Sequence, residues 1–315
     1  MFRAYPLVLL GCASPALDSA GVESSRGEGG TAWEWTDPRG TPTFDAEVYT
    51  ADLQLVVDTL PSYRPGPLLE SYAAARTLGE GSCPAEDSLT EAGITNTWWY
   101  GACTSAHRVH FNGVMTAWGW DGIDLAPLRV KDLGSLVPDG FLWWGNGFEG
   151  RIDIFDEADT ADFSCSCEAV TATGQASDGR AVYLDYARGP ASWTGPEADG
   201  TWLEQTTVRA SLALWAESDP RGEAWTLHVE ADESGMGERY RSVKLQYDIK
   251  LTPDRLGCTE VAGSIRVRDA TTATWAEVTA EKGEGAPCNA CVEVEGQTVC
   301  TDLTPLLMEA TSRWW

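Results

Sequence analysis

Lysine is nearly missing from this 315-residue chain. Lys131, Lys244, Lys250 and Lys282 are the only ones, and arginines bring the cations to just 22 against 48 Asp and Glu. The formal charge of -26 sets up a field that repels phosphate backbones and anionic lipid head groups, which argues against any nucleic-acid partner. Histidine is equally scarce, with only His107, His110 and His228. The first two stand three apart in a strand-like context, where they point to opposite faces and do not share a metal. No serine sits in a GxSxG elbow, so Ser105 and His107 lack the setting of a nucleophilic triad and the histidines are expected to be satisfied surface residues. No apolar run approaches the roughly 20 residues that span a bilayer as a helix. No fixed-period repeat points to a propeller or solenoid.

What the chain does have is alternation. In "RSVKLQYDIKL", Val243, Leu245, Tyr247, Ile249 and Leu251 alternate with polar residues, the pattern of a half-buried strand. The same period runs through Val208, Ala210, Leu212 and Leu214, through Trp225, Leu227 and Val229, through Phe163, Cys165, Cys167 and Ala169, and through Ile265 and Val267. Turn segments such as "SDG", "SDPRG", "ESGMG" and "VEGQT" separate these runs, and connectors so short join antiparallel neighbours but cannot house helical crossovers. The expected fold is mostly β: an antiparallel meander forming a sandwich or a strongly curved, barrel-like sheet, with one or two short helices. Two stretches read as helix, "GPLLESYAAART" (66–77) and "DLTPLLMEATSRW" (302–314). A membrane-spanning barrel is disfavoured, because counting back in twos from Trp315 puts Arg313 and Glu309 on the face that would meet lipid.

At the amino terminus, Arg3, the apolar run "YPLVLLG" and then Cys12 in "LLGC" resemble the lipobox of bacterial lipoproteins. The resemblance implies a signal peptide over 1–11, cleavage before Cys12 and a diacylglycerol on its sulfur, with membrane attachment through that lipid. Ala13 stands where many inner-membrane lipoproteins carry Asp, so an outer-membrane location in the cell envelope is implied. Residues 12–31 read as a flexible tether, polar and rich in Ser and Gly, reaching on the order of 20 to 25 Å. The β-rich body is expected over 32–315, with a boundary near 145 if it divides in two.

Setting Cys12 aside leaves eight cysteines: Cys83, Cys103, Cys165, Cys167, Cys258, Cys288, Cys291 and Cys300. An even number suits disulfides in an oxidising compartment. Cys83 and Cys103 bracket one turn and strand and could staple neighbours, while Cys165 or Cys167 could pair with Cys258. Cys288 and Cys291 form a CxxC ahead of a hairpin that returns to Cys300. The second CxxC or His pair of a zinc site is missing, and so is the strand-to-helix context of a redox motif. The segments "WWYGACT" and "RVHFNGVMT" resemble uncharacterised Cys-containing exported lipoproteins of Gram-negative bacteria, which implies export and no particular activity.

The string "RIDIFDE" resembles the catalytic strand of a laminarinase-type glycosidase family. Arg151 stands where that family has its nucleophilic Glu, so the carboxylate pair of a retaining hydrolase is incomplete. Asp153, Asp156, Glu157, Asp159 and Asp162 form a dense acidic cluster whose oxygen ligands would suit Ca²⁺, although a solvated loop is the simpler expectation and no cofactor is expected. Fifteen tryptophans are the most unusual feature. Adjacent pairs on a strand face opposite ways, so Trp98, Trp99, Trp118, Trp120, Trp143 and Trp144 are candidates to meet solvent and hold a sugar ring or an apolar patch. Together these features predict a non-enzymatic envelope lipoprotein that binds a partner, another envelope protein or a glycan, or serves structure at the cell surface. The alternative is a carbohydrate-binding or glycan-modifying module using exposed Trp.

Overall fold

The structure, a computed structural model, describes residues 34–35, 44–65, 85–89, 94–104, 109–119, 141–156, 162–190, 209–294 and 296–315, with side chains in 44–65, 168–189, 209–294 and 296–315. Asp45 lies in extended backbone, and its Oδ1 accepts the backbone N–H groups of Glu47 at 3.1 Å and Val48 at 3.2 Å. Two donors that a helix start leaves unpaired are thereby satisfied. Phe44, just before this cap, packs on Tyr49 with ring centroids 5.6 Å apart, a hydrophobic staple that fixes the entry angle. Helix α1 (Ala46–Thr59) follows and buries Tyr49, Leu53, Val56 and Val57, spacings that share one face of a 3.6-residue period. It ends in a 3-10 turn, Leu60–Tyr63, that accommodates Pro61 in its first turn. This helix lies outside the two stretches expected to be helical, 66–77 and 302–314. The helix expected at 66–77 lies outside the described residues. The terminal one is present as α2 (Thr304–Trp314), with Pro305 in its first turn and the Thr304 N–H donating to Asp302 Oδ1 at 2.9 Å.

The strands are β1 (Glu34–Trp35), β2 (Ala85–Leu89), β3 (Ile94–Thr104), β4 (Val109–Gly119), β5 (Phe141–Asp156), β6 (Asp162–Ala176) and β7 (Ala181–Pro190), then β8 (Arg209–Ser218), β9 (Trp225–Ser234), β10 (Tyr240–Leu251), β11 (Cys258–Asp269), β12 (Trp275–Gly283), β13 (Asn289–Val294) and β14 (Gln297–Asp302). From β2 to β14 each pairs with its neighbour in sequence, so the fold is an antiparallel meander with no crossover. β1 adds to β12 at Glu277 and Ala276, on the part of that edge left open by β13, which bonds only Glu281–Gly283. Among the described residues β2 and β14 are the two ends of the ladder and do not pair with each other. Residues Thr31–Trp315 form one compact unit, and β5 runs through position 145.

Alternation decides which face is buried. Val243, Leu245, Tyr247, Ile249 and Leu251 of β10 enter one core with Leu227 and Val229 of β9 and Val261 and Ile265 of β11, and both helices cover it through Tyr49, Leu53, Val56, Leu306 and Leu307. Gln246, Asp248 and Lys250 face the other way and are exposed. At β6–β8 the sheet is apolar on both faces: Val170, Ala172, Leu184 and Ala213 form a second cluster, whereas Leu212 and Leu214 of the same β8 belong to the first.

Three polar devices fix α1 and its turn to the sheet. The buried carboxylate of Asp52 accepts the backbone N–H groups of Glu238, Arg239 and Tyr240 at 3.0, 3.0 and 2.9 Å, so three successive donors in the β9–β10 connection close on one helix side chain. Gly237 permits the approach, since a Cβ there would lie 2.8 Å from Asp52 Oδ2 and 2.4 Å from the Tyr240 carbonyl. Arg64, 1% exposed, donates through Nη2 to Asp185 of β7 and places its guanidinium 5.6 Å from the Trp314 ring. Desolvation lowers its pKa from the ordinary arginine value, and Asp185 and Glu309 offset part of that cost. Gln54 makes the third connection, described with the site below.

Two disulfides staple the carboxy-terminal strands, Cys258–Cys288 and Cys291–Cys300. The first corrects the expected pairing of Cys258 with Cys165 or Cys167: the Cys258 N–H donates to the Pro287 carbonyl at 3.1 Å, which brings the start of β11 beside Cys288 instead of beside β6. The CxxC motif is thereby divided between two bridges. Cys291 and Cys300 are directly opposite across the β13–β14 hairpin, and Gly283 on β12 leaves the space, since a Cβ there would lie 1.9 Å from Cys291 Sγ. Closing loops of 30 and 9 residues is worth about 3 kcal/mol each in the chain-entropy model.

Candidate functional site

Of the residues singled out from sequence, Cys12, Cys83, His107, Trp120, Glu157 and Asp159 lie outside the described residues. Trp98, Trp99 and Cys103 are on β3, His110 and Trp118 on β4, Trp143, Trp144, Asp153 and Asp156 on β5, and Asp162, Cys165 and Cys167 on β6. Their backbones alone are described. Trp98 pairs with Val114, four positions before Trp118, and Trp118 pairs with Gly147, four positions after Trp143. Four rungs are about 13 Å along a strand, so these tryptophans are strung along β3–β5 and do not stand in one row.

The tryptophans with described side chains serve packing. Trp225, 8% exposed, stacks on Tyr183 with centroids 5.6 Å apart and meets Trp315 edge-on at 5.0 Å. The Arg255 guanidinium lies 5.2 Å from Trp225 and 4.4 Å from Trp315, and Thr311 donates to the Arg255 carbonyl at 3.1 Å. The cation and this hydrogen bond hold Arg255 in left-handed backbone at φ 61°, a conformation that costs a non-glycine residue of order 1 kcal/mol or more. On the opposite sheet face Trp215 stacks on His228, centroids 4.8 Å apart, and His228 Nδ1 lies 2.7 Å from Asp248 Oδ1. The hydrogen bond from His228 holds the Asp248 carboxyl below its usual range, whereas burial raises that of Glu230, two residues along β9. These residues stand side by side on β8, β9 and β10. Sequence supplied the expectation of a satisfied surface histidine, but no local signal joins Trp215 to His228 and Asp248.

A concave feature of the described surface lies where α1 meets β14. Ala46, Glu47, Thr50, Ala51, Gln54 and Val299 line a shallow groove of about 460 Å³. Its floor is mainly apolar because Ala46 and Ala51 are small and Val299 is turned toward the helix. At its end the Gln54 amide makes two hydrogen bonds to one strand residue: the Asp302 N–H donates to Gln54 Oε1 at 2.9 Å, and Gln54 Nε2 donates to the Asp302 carbonyl at 3.2 Å. A side chain here reproduces the paired bonds that a neighbouring strand would make. Asp58, bonded to Gln54 Nε2 at 2.8 Å, holds the amide in place. The antiparallel register pairs Glu293 with Thr298, Cys291 with Cys300 and Asn289 with Asp302. Because Asp302 turns its backbone groups outward to Gln54, the alternation of the ladder turns those of Cys300 and Thr298 outward as well. Nothing in the sequence brings Gln54 to Asp302 across a separation of 248 residues. The missed signal was the Asp45 cap, which identifies α1.

No family model, no curated protein and no solved structure matches this chain.

Proposed function

We propose that this chain is a non-enzymatic envelope lipoprotein, anchored to the outer membrane through acylated Cys12, whose β-rich body binds a partner at the cell surface. The two disulfides support export, because such bridges persist in oxidising compartments and are rare in the cytosol. The single observation that favours binding over a purely structural role is the groove between α1 and β14, where an apolar floor adjoins outward-facing backbone groups. Replacing Cys12 by Ala is expected to abolish metabolic labelling with a palmitate analogue and to release the protein from the membrane fraction. Unchanged membrane retention without acyl labelling overturns the anchor.

A further inference from the structure

We infer that the edge of β14 is a strand-addition site for an extended, cationic segment of a partner protein, whose alternate apolar side chains enter the groove beside α1. The inference deepens the binding role proposed above and rests on it. Three observations carry it.

The first is the state of the edge. β14 is a terminal strand of the ladder. Gln54 pairs with its Asp302, and among the described residues Thr298 and Cys300 have no strand beside them. Exposed edges of this kind are templates for another extended chain, and proteins ordinarily protect them with a bulge, a proline or an inward charge. Gln297–Asp302 has no bulge and no proline, and its one charged residue, Asp302, turns its carboxylate to the Thr304 N–H and hydroxyl at the end of the strand. Instead the Cys291–Cys300 bridge fixes the edge to β13, so the template is rigid before anything binds.

The second is the match between edge and groove. A strand laid on β14 places alternate side chains on the two faces of the sheet. Those on the helix side fall between Ala46, Thr50, Ala51 and Val299, a space of about 460 Å³ that suits a few medium-sized aliphatic groups. Main-chain bonds to Thr298 and Cys300 would give affinity, and the groove would select the apolar positions. Gln54 already makes the first rung of that interaction with an amide of its own, which shows that the geometry accepts a backbone-like partner.

The third is charge. Neither the segment Phe44–Tyr63 nor Asn289–Asp302 contains a Lys or Arg, while Asp45, Glu47 and Asp58 are exposed on the helix and Glu293 is exposed on β13. In a molecule of net charge -26 this rim favours a cationic strand and disfavours a second copy of the same chain.

The test uses the full chain with its disulfides intact and the capped peptide acetyl-(Lys-Val)4-amide. Saturable binding is expected, with the Thr298 and Cys300 amide resonances among those that move. N-methylation of alternate peptide residues, which removes the ladder donors, is expected to weaken binding at least tenfold, and so is exchanging Lys for Glu. On the protein, Ala51→Arg fills the groove from an exposed helix position, where folding tolerates it, and is expected to cost at least tenfold. Thr298→Pro removes an outward N–H that makes no bond to β13 and should do the same. Equal binding of the N-methylated peptide, or no effect of Ala51→Arg, overturns the inference. Concentration-dependent dimerisation abolished by Ala51→Arg, without peptide binding, overturns it in favour of a second copy. Thr298 and Cys300 amides already protected from exchange in the free protein overturn it in favour of another segment of this chain. The peptide assay needs no lipid, so its failure is separate from failure of the Cys12 labelling experiment.

Discussion

Glu233 stands in β9 between Ala210 and Val243, only 1% exposed on the face that carries the main core. Its Oε1 accepts the Met236 N–H at 2.7 Å, while Oε2 is buried without a hydrogen-bond partner. Burial raises its pKa to about 7, with Asp232 and Asp52 adding to the rise and the Met236 N–H opposing it. The folded protein therefore holds this proton where an unfolded glutamate, near 4.5, has lost it. The resulting stability is fully present below about pH 4.5 and is lost as pH rises through about 7, to a total of about 3 kcal/mol at 1.36 kcal/mol per pKa unit. Glu233→Gln keeps an acceptor for Met236 and cannot ionise. The variant should match the natural protein in urea denaturation near pH 4 and exceed it at pH 8. A constant difference across that range would show that Glu233 is not the group responsible.

At the scale of elements, α1 depends on the loop that closes around Asp52. Hydrogen bonds to a charged acceptor contribute about 1.5–3 kcal/mol each, and removing the acceptor also leaves buried donors unpaired. Asp52→Ala should thus cost about 3–5 kcal/mol in urea denaturation, with Asp52→Asn recovering part of the loss. A change below about 0.5 kcal/mol would mean that the loop re-satisfies its donors with water. The strands were readable in advance because a two-residue period is local: each of Val243, Leu245, Tyr247, Ile249 and Leu251 points inward, as the sequence pattern requires. Helix α1 was not, because Leu53, Leu55 and Val57 alternate along "DLQLVVDT" and imitate a strand, while the deciding features are the Asp45 cap and the Phe44–Tyr49 staple. The candidate groove was out of reach for a different reason. It exists only because residues near 50 meet residues near 300, and no short-range pattern encodes that meeting. The Cys258–Cys288 bridge has the same character: eight cysteines established that bridges were expected, but the pairing follows from how β11 meets the β12–β13 connection.

On the scale of the whole molecule, two electrostatic effects compete, and salt separates them. Self-repulsion from a net charge of -26 opposes compaction and is relieved by screening. Exposed pairs such as Lys250–Glu260 at 2.5 Å and Arg180–Asp178 at 2.9 Å are weakened by the same screening, but each is worth at most about 1 kcal/mol. With 48 acids against 22 cations, most carboxylates have no cation available, so repulsion dominates and the thermal midpoint should rise by a few degrees between about 10 mM and about 0.5 M NaCl. A falling midpoint would mean that ion pairs outweigh the net charge. Calcium makes the experiment sharper. A site in the acidic cluster around Asp153–Asp162 would add a saturable stabilisation at low concentration, governed by mass action, whereas screening depends on ionic strength. A solvated acidic loop, the simpler reading of that sequence, predicts midpoints in CaCl2 that rise gradually, with no saturating step below about 1 mM. Such a step, removed by Asp156→Asn, would instead identify the cluster as a metal site and make the acidity of the chain local in purpose as well as general.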